Sequence, residues 1–255
     1  MECPLFDISG KTALITGSSR GIGIALARGL GRAGAAIILN GTDHERLSRA
    51  AEELRSEGIS VYTAVFDVTD KMTVCKKIDD IEKDCGSIEI LINNAGRQRR
   101  GALEDFELSK WEEIIDVNLT GVFIVSQCVV RKMKNRGYGK IINVCSLQCE
   151  LARPGIAPYA ASKGGVRMLT RSMAAEWARY NIQINGIGPG YFITDMTRSL
   201  SEDADFDAWL RKRTPAGRWG NTEELIGAAI FLSSKASDFI NGQIIYVDGG
   251  LSAVI

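Results

Sequence analysis

Strand-like and helix-like patterns alternate along the whole chain of 255 residues, and this alternation leaves few architectures open. The apolar runs are Lys11–Thr16, Ala36–Asn40, Val61–Phe66, Glu89–Asn93, Lys140–Ser146, Gln183–Ile187 and Gln243–Val247. They are rich in valine and isoleucine, and most are apolar on both faces, as strands covered by helices on both sides must be. Between them lie helical patterns with start and stop signals. Asp43 is placed to cap a helix running to Glu57, with Gly58 as its stop. Thr69 or Asp70 starts the next, which ends before Gly86, and Ser109 starts a long one reaching about Arg136. The pattern predicts an α/β fold, a doubly wound seven-stranded parallel sheet with helices on both faces. No linker, repeat or low-complexity segment divides the chain, so residues 1–255 read as a single domain. The longest stretch without a pattern, Gly190–Gly220, has the length of a substrate loop or lid, at about 190–220.

Charge and cysteine usage remove several classes of function. Lysine plus arginine equals aspartate plus glutamate, 31 each, so no global charge draws the chain to nucleic acid or to a membrane surface. Met1–Gly10 has neither the basic start nor the apolar run of a signal peptide, and no stretch reaches the roughly 18 apolar residues of a spanning helix. The expected location is cytoplasmic. The six cysteines, at 3, 75, 85, 128, 145 and 149, make no CxxC and are read as reduced thiols. The only histidine is His44, so the Cys145 and Cys149 pair lacks the ligands of a zinc site, and no metal is expected.

Three motifs carry chemistry. Thr16-Gly17-Ser18-Ser19-Arg20-Gly21-Ile22-Gly23 follows the first strand and opens a helix. Gly17 permits the turn, Gly21 lets the backbone approach a pyrophosphate, Gly23 lets helix and strand pack closely, and the helix N-terminus favours negative charge. Ser19, Arg20 and Ile22 complete this candidate cofactor-binding turn. Asn93-Asn94-Ala95-Gly96 ends the fourth strand, where Asn94, Ala95 and Gly96 leave room for a nucleoside. Tyr159-Ala160-Ala161-Ser162-Lys163 puts a phenol and an ammonium on one helix face. A nearby positive charge favours phenolate, which makes Tyr159 a candidate general acid/base. Ser146, thirteen positions earlier at a strand end, is placed to polarise a substrate oxygen.

Taken in order, TGSSRGIG, NNAG, Asn118 in DVNL, Ser146, YAASK and Gly188-Pro189-Gly190 resemble the short-chain dehydrogenases/reductases over essentially the whole chain, to VDGG at Val247–Gly250. The resemblance implies a Rossmann-type fold, an NAD(P) cofactor and an oxidoreductase. It implies roles residue by residue. Ser146 orients the substrate oxygen, Tyr159 exchanges the proton, and Lys163 lowers the tyrosine pKa and holds the nicotinamide ribose. Asn118 positions a water that continues the proton path. Asp67 and Val68 meet the adenine, and Pro189, Gly190, Ile193 and Thr194 lie along the nicotinamide. It further implies self-association, usually as a homotetramer, and the apolar end Leu251–Ile255 is compatible with burial against a partner.

Longer segments resemble one branch of that family, whose members interconvert D-gluconate and 5-dehydro-D-gluconate. They are Gln98-Arg99-Arg100, Glu150–Tyr159, Ile184–Phe192, Lys212–Gly220 and Phe231–Gln243. Arg97 departs from this branch, which usually has an apolar residue there. A sugar acid carries a carboxylate, which arginine binds with two parallel hydrogen bonds. The resemblance favours Arg100 as that partner, with Arg99 behind it, and adds Glu150 and Arg153 to the candidate substrate set. Reduction of another ketone, such as a 3-oxoacyl thioester or a deoxy-keto sugar acid, stays open, as does a non-catalytic cofactor sensor.

The second strand ends Leu39-Asn40-Gly41-Thr42, without the acid that holds the ribose hydroxyls of NAD. Arg20 is free to meet a 2′-phosphate, and Asn40 and Thr42 to donate hydrogen bonds to it. NADP is the expected cofactor, with NAD possible.

Overall fold

The computed structural model describes residues 4–254. Its strands are β1 (Thr12–Ile15), β2 (Ala36–Gly41), β3 (Val61–Val65), β4 (Ile88–Asn93), β5 (Gly139–Val144), β6 (Ile182–Pro189) and β7 (Ile244–Val247). Its helices are α1 (Gly21–Arg32), α2 (His44–Ser56), α3 (Lys71–Asp84), α4 (Leu108–Ile115), α5 (Gly121–Arg136), α6 (Ala157–Trp177), α7 (Arg198–Ser201), α8 (Ala204–Arg213) and α9 (Ile226–Ser233). The strands pair in parallel in the order β3-β2-β1-β4-β5-β6-β7. The order reverses between β1 and β4, which opens a crevice at the carboxyl ends of those strands.

Both faces of the sheet are covered, as the apolar runs require. Ala13 and Ile15 of β1 enter one core, with Leu26 and Leu30 of α1, Leu47 and Leu54 of α2 and Leu232 of α9. Leu14 enters the other, with Ile78 of α3, Val125 and Met133 of α5 and Met173 of α6. The caps fall where the residue types place them. Asp43 accepts from the Arg46 amide and Asp70 from those of Met72 and Thr73, and Gly58 and Gly86 follow α2 and α3 at positive φ.

Four sequence expectations are corrected. Glu107, not Ser109, precedes the long helix, which starts at Leu108. That helix contains a π turn, Asp116–Thr120, with Asn118 at its centre. By length and composition Leu108–Arg136 is apolar enough to cross a membrane, contrary to the reading above. Many of its apolar residues are instead core residues, with Ile124, Val125, Val129 and Met133 buried against the sheet. The 190–220 stretch is not irregular, since it contains α7 and α8. Finally, Cys75 and Cys128 form a disulfide between α3 and α5, which pack side by side with the two Cα atoms 5.4 Å apart. Spacing along the chain could not reveal that contact across 53 residues. Cys85, Cys145 and Cys149 are free thiols, and Leu251 is buried within the chain itself. Cys3 and Ile255 lie outside the described residues.

Candidate active site

The strand carboxyl ends surround a cleft of about 620 Å³. Gly17 and Ser19 to Ile22 line it after β1, Asn94 to Arg99 after β4, Cys145 and Ser146 after β5, and Pro189 to Phe192 with Thr194 to Thr197 at and after the end of β6. The glycine turn is shaped by contacts that side chains would block. A Cβ on Gly17 would stand 2.7 Å from the Ala95 Cα, and one on Gly23 would stand 2.6 Å from the Asn94 amide nitrogen and the Gly17 carbonyl. Asn94 donates to the Thr16 and Gly17 carbonyls (both 2.9 Å) and so fastens the turn to β4. Gly23 therefore acts from behind the cleft wall, through packing. No side chain caps α1, so its first-turn amides remain for a ligand at the cleft.

These features fit a dinucleotide. The uncapped helix end suits a pyrophosphate, and Asp67 and Val68 line the cleft beside β2 and β3, where an adenine would lie. Thr42 and Arg20 line the end where a 2′-phosphate would stand. Arg46, which the sequence reading missed, lines it too. It stands in the first turn of α2, four residues after Thr42, and pairs with Asp43 (3.5 Å). Asn40 is corrected. It is buried, both its amide hydrogens go to the carbonyls of Ala64 (3.1 Å) and Phe66 (3.0 Å), and its Oδ1 accepts from the Gly17 amide (3.2 Å). It holds the turn and has no hydrogen left for a phosphate. Ile193 is also corrected, since its side chain is exposed outside the cleft lining, whereas Pro189, Gly190 and Thr194 line it.

Tyr159 and Lys163 stand one turn apart on α6, and Ser146 follows β5, all three on the cleft. Burial pushes the Tyr159 phenol up to about 12, partly opposed by its hydrogen bond with Ser146. The lowered pKa expected from Lys163 is not seen. The ammonium lies 5.8 Å from the ring centroid and donates to the Val144 carbonyl (2.6 Å), and burial lowers its own pKa. The Ser146 hydroxyl donates to Gln148 Oε1 (2.5 Å), and Gln148 reaches the Tyr191 hydroxyl. Gln148 and Tyr191 were not singled out from the sequence, as nothing in their spacing marks them.

Asn118 is fully buried and stands behind the cleft rather than on it. Its Oδ1 accepts from the Arg97 amide (2.7 Å), and its Nδ2 donates to the Arg97 carbonyl (2.9 Å) and to Ser162 Oγ (3.0 Å). It thus joins the turn after β4 to α6, the helix that carries Tyr159 and Lys163.

The substrate candidates divide. Arg153 lines the cleft. Glu150 does not, since it pairs with Arg167 (2.9 Å) and accepts from the Tyr246 hydroxyl (2.9 Å). Arg100 is also outside the lining, with one guanidinium nitrogen donating to Ser199 Oγ (3.0 Å). Arg97 and Arg99 both pair with Glu113 at the cleft mouth. Among the described residues no cluster of three or more potential metal ligands occurs.

Residues 11–205 match the model of the short chain dehydrogenase family. The chain is 56% identical over 248 residues to a gluconate 5-dehydrogenase of Gluconobacter oxydans (strain 621H), covering 97% of each. It is also 56% identical over 251 residues to a 5-keto-D-gluconate 5-reductase of Escherichia coli (strain K12), covering 98% of this chain and 99% of that one. The crystal structure of a gluconate 5-dehydrogenase from Burkholderia cenocepacia J2315, in complex with NADP and tartrate, superposes with a TM-score of 0.97 at 57% identity, covering 99% of both chains.

Proposed function

The chain belongs to the short-chain dehydrogenase family, and on that premise we propose that it interconverts D-gluconate and 5-dehydro-D-gluconate with NADP as the hydride carrier. The observation that carries this reading is Ser146, Tyr159 and Lys163 together on one cleft whose opposite end fits a dinucleotide. The full-length relatives that act on gluconate or its 5-keto form supply the substrate. Arg20 and Arg46 at the adenosine end support NADP, because two guanidiniums suit a 2′-phosphate.

When bound, NADP accepts or delivers the hydride, and the chain's own residues manage the proton. Ser146 holds the C5 oxygen by turning its hydroxyl from Gln148 to the substrate. In reduction Tyr159, protonated in its buried setting, gives its proton to the forming alkoxide oxygen. In oxidation the phenolate takes the hydroxyl proton as the hydride leaves. Lys163 places a positive charge beside that phenolate and binds the nicotinamide ribose. Asn118 is a positioning residue that fixes the wall against α6. Residues 190–220 act as a lid that excludes water over the reacting carbon.

The reading includes self-association as a homotetramer. Exposed Phe123 on α5, Met168 on α6 and Phe239 after α9 offer apolar surface for it. It also includes a cytoplasmic location. Light scattering and cell fractionation test these two parts. The activity is tested by a panel of sugar acids, neutral polyols and a 3-oxoacyl thioester with the oxidised or reduced forms of NADP and NAD, followed by nicotinamide absorbance. The reading requires gluconate with NADP to give the highest kcat/KM. A higher value for a 3-oxoacyl thioester or a neutral polyol would overturn it.

A further inference from the structure

Five arginines line the cleft: Arg20, Arg46, Arg97, Arg99 and Arg153. Four have a carboxylate partner. Arg20 faces Asp195, Arg46 faces Asp43, and Arg97 and Arg99 share Glu113. Among the described residues Arg153 has none, and its buried Nε meets no hydrogen-bond acceptor. An Nε–H left without a partner in a buried position is costly unless something arrives to accept it.

Nearby residues sharpen the point. Arg100 is close enough for the Arg153 charge to depress its pKa, next to the larger effect of burial. The Arg153 guanidinium also lies over the ring of Phe206, 5.1 Å from its centroid, so one flat face is packed and the buried Nε is left without an acceptor. Phe206 belongs to α8 and packs against Tyr191 (5.5 Å between centroids) and Trp219 (6.2 Å). Arg100 is tied to the neighbouring α7 through Ser199 (3.0 Å). Both charges are therefore held by the segment proposed as the lid.

We propose that Arg153 is the seat of the substrate carboxylate, that Arg100 contributes a second charge while latching α7, and that the Arg153–Phe206 stack makes the seat complete when α8 is packed down. The proposal rests on the sugar-acid reading above. It makes the choice of reacting carbon depend on where the carboxylate is held. Arg153 stands between Ser146 and Tyr159 in sequence and shares their cleft, so an open-chain acid anchored there by its carboxylate brings one carbon, set by chain length, to the Ser146 and Tyr159 oxygens. A planar carboxylate meets the Nε and Nη edge with two parallel hydrogen bonds, which a neutral hydroxymethyl end cannot reproduce.

The test uses the whole enzyme with NADP and four variants, Arg153→Ala, Arg153→Lys, Arg153→Gln and Phe206→Leu. Gluconate kinetics, sorbitol kinetics and calorimetric binding of tartrate, a simple hydroxy-dicarboxylate, are read in parallel. Arg153→Ala is expected to raise KM for gluconate about ten- to a hundred-fold, leaving KM for NADP and the poor rate with sorbitol unchanged. Arg153→Lys recovers only part, and added guanidinium ion partly restores Arg153→Ala. Phe206→Leu shows a smaller rise of the same kind. Arg153→Gln, which keeps most of the packing on Phe206, gives the kinetic answer should the alanine variant fail to fold. Native KM for gluconate and native tartrate affinity in Arg153→Gln would overturn the proposal. A native enzyme that ignores gluconate yet loses tartrate binding with Arg153 would overturn the substrate reading instead and keep the carboxylate seat.

Discussion

Arg20 and Asp195 face each other across the mouth of the cofactor cleft, guanidinium to carboxylate at 3.4 Å, one from the glycine turn and one from the segment after β6. Both are half-exposed, so the pair contributes at most about 1 kcal/mol, and a dianionic 2′-phosphate outcompetes it. Arg20→Ala should therefore raise KM for NADP more than for NAD, since only NADP carries that phosphate. Arg46→Ala should do the same, and Asp195→Asn, which releases Arg20, should lower KM for NADP a few-fold. Steady-state kinetics with both cofactors decide it. Equal losses for the two cofactors in Arg20→Ala would reduce that arginine to a support of the turn.

Tyr159→Phe removes one oxygen and leaves α6, the glycine turn and the cleft wall in place. NADPH fluorescence titration should show binding unchanged, while kcat falls about 10²–10⁴-fold in both directions, the usual share of a general acid/base. Turnover close to native would move the proton exchange to another group.

With its pKa pushed up to about 12, Tyr159 is protonated at neutral pH in the free site. Reduction uses that proton and oxidation needs it gone. Alcohol oxidation should therefore accelerate as pH rises from neutral into the alkaline range, while carbonyl reduction stays level and falls only as the phenol ionises. Oxidation also releases a proton, so the equilibrium moves about tenfold per pH unit toward the ketone as pH rises. Initial rates measured in both directions across this range check the sign, and an oxidation rate that falls with rising pH would contradict it.

What could be read from the sequence was whatever the backbone fixes locally. The strand runs, the Asp43 and Asp70 caps, the glycine turn and the Tyr159–Lys163 spacing depend on neighbours within a few residues, and each stands where its pattern places it. What escaped depends on the direction of long side chains and on contacts far along the chain. Asn40 sits at the strand end where a phosphate donor would stand, yet its amide turns inward to β3. Arg100 and Arg153 both read as substrate candidates, with Arg100 favoured, and only the packing of Phe206 and Ser199 separates the one on the cleft from the one beside the lid. The Cys75–Cys128 contact likewise arises from the packing of α3 on α5.

Asn118 gives the remaining prediction. Its π turn shifts the register of the helix so that the side chain faces the turn after β4, where it spans Arg97 and Ser162 with three hydrogen bonds, fully buried. Asn118→Ala strands the Arg97 amide and carbonyl, each costing about 1–3 kcal/mol unless water replaces the lost bond, and removes the donor to Ser162, whose hydroxyl keeps its bond to the Tyr159 carbonyl (2.7 Å). At roughly 2–4 °C per kcal/mol for a chain of this size, Tm should drop by several degrees. A brace lost for structural reasons alone would lower Tm and leave the kinetics of the surviving enzyme native. The link to α6 predicts more, namely a fall in kcat well below the melting transition, with KM for NADP little changed and a displaced pH profile for Tyr159. Asn118→Asp keeps the acceptor for the Arg97 amide and loses both donors, so it should share the defect. A variant with native kcat and native pH profile would assign Asn118 to stability only.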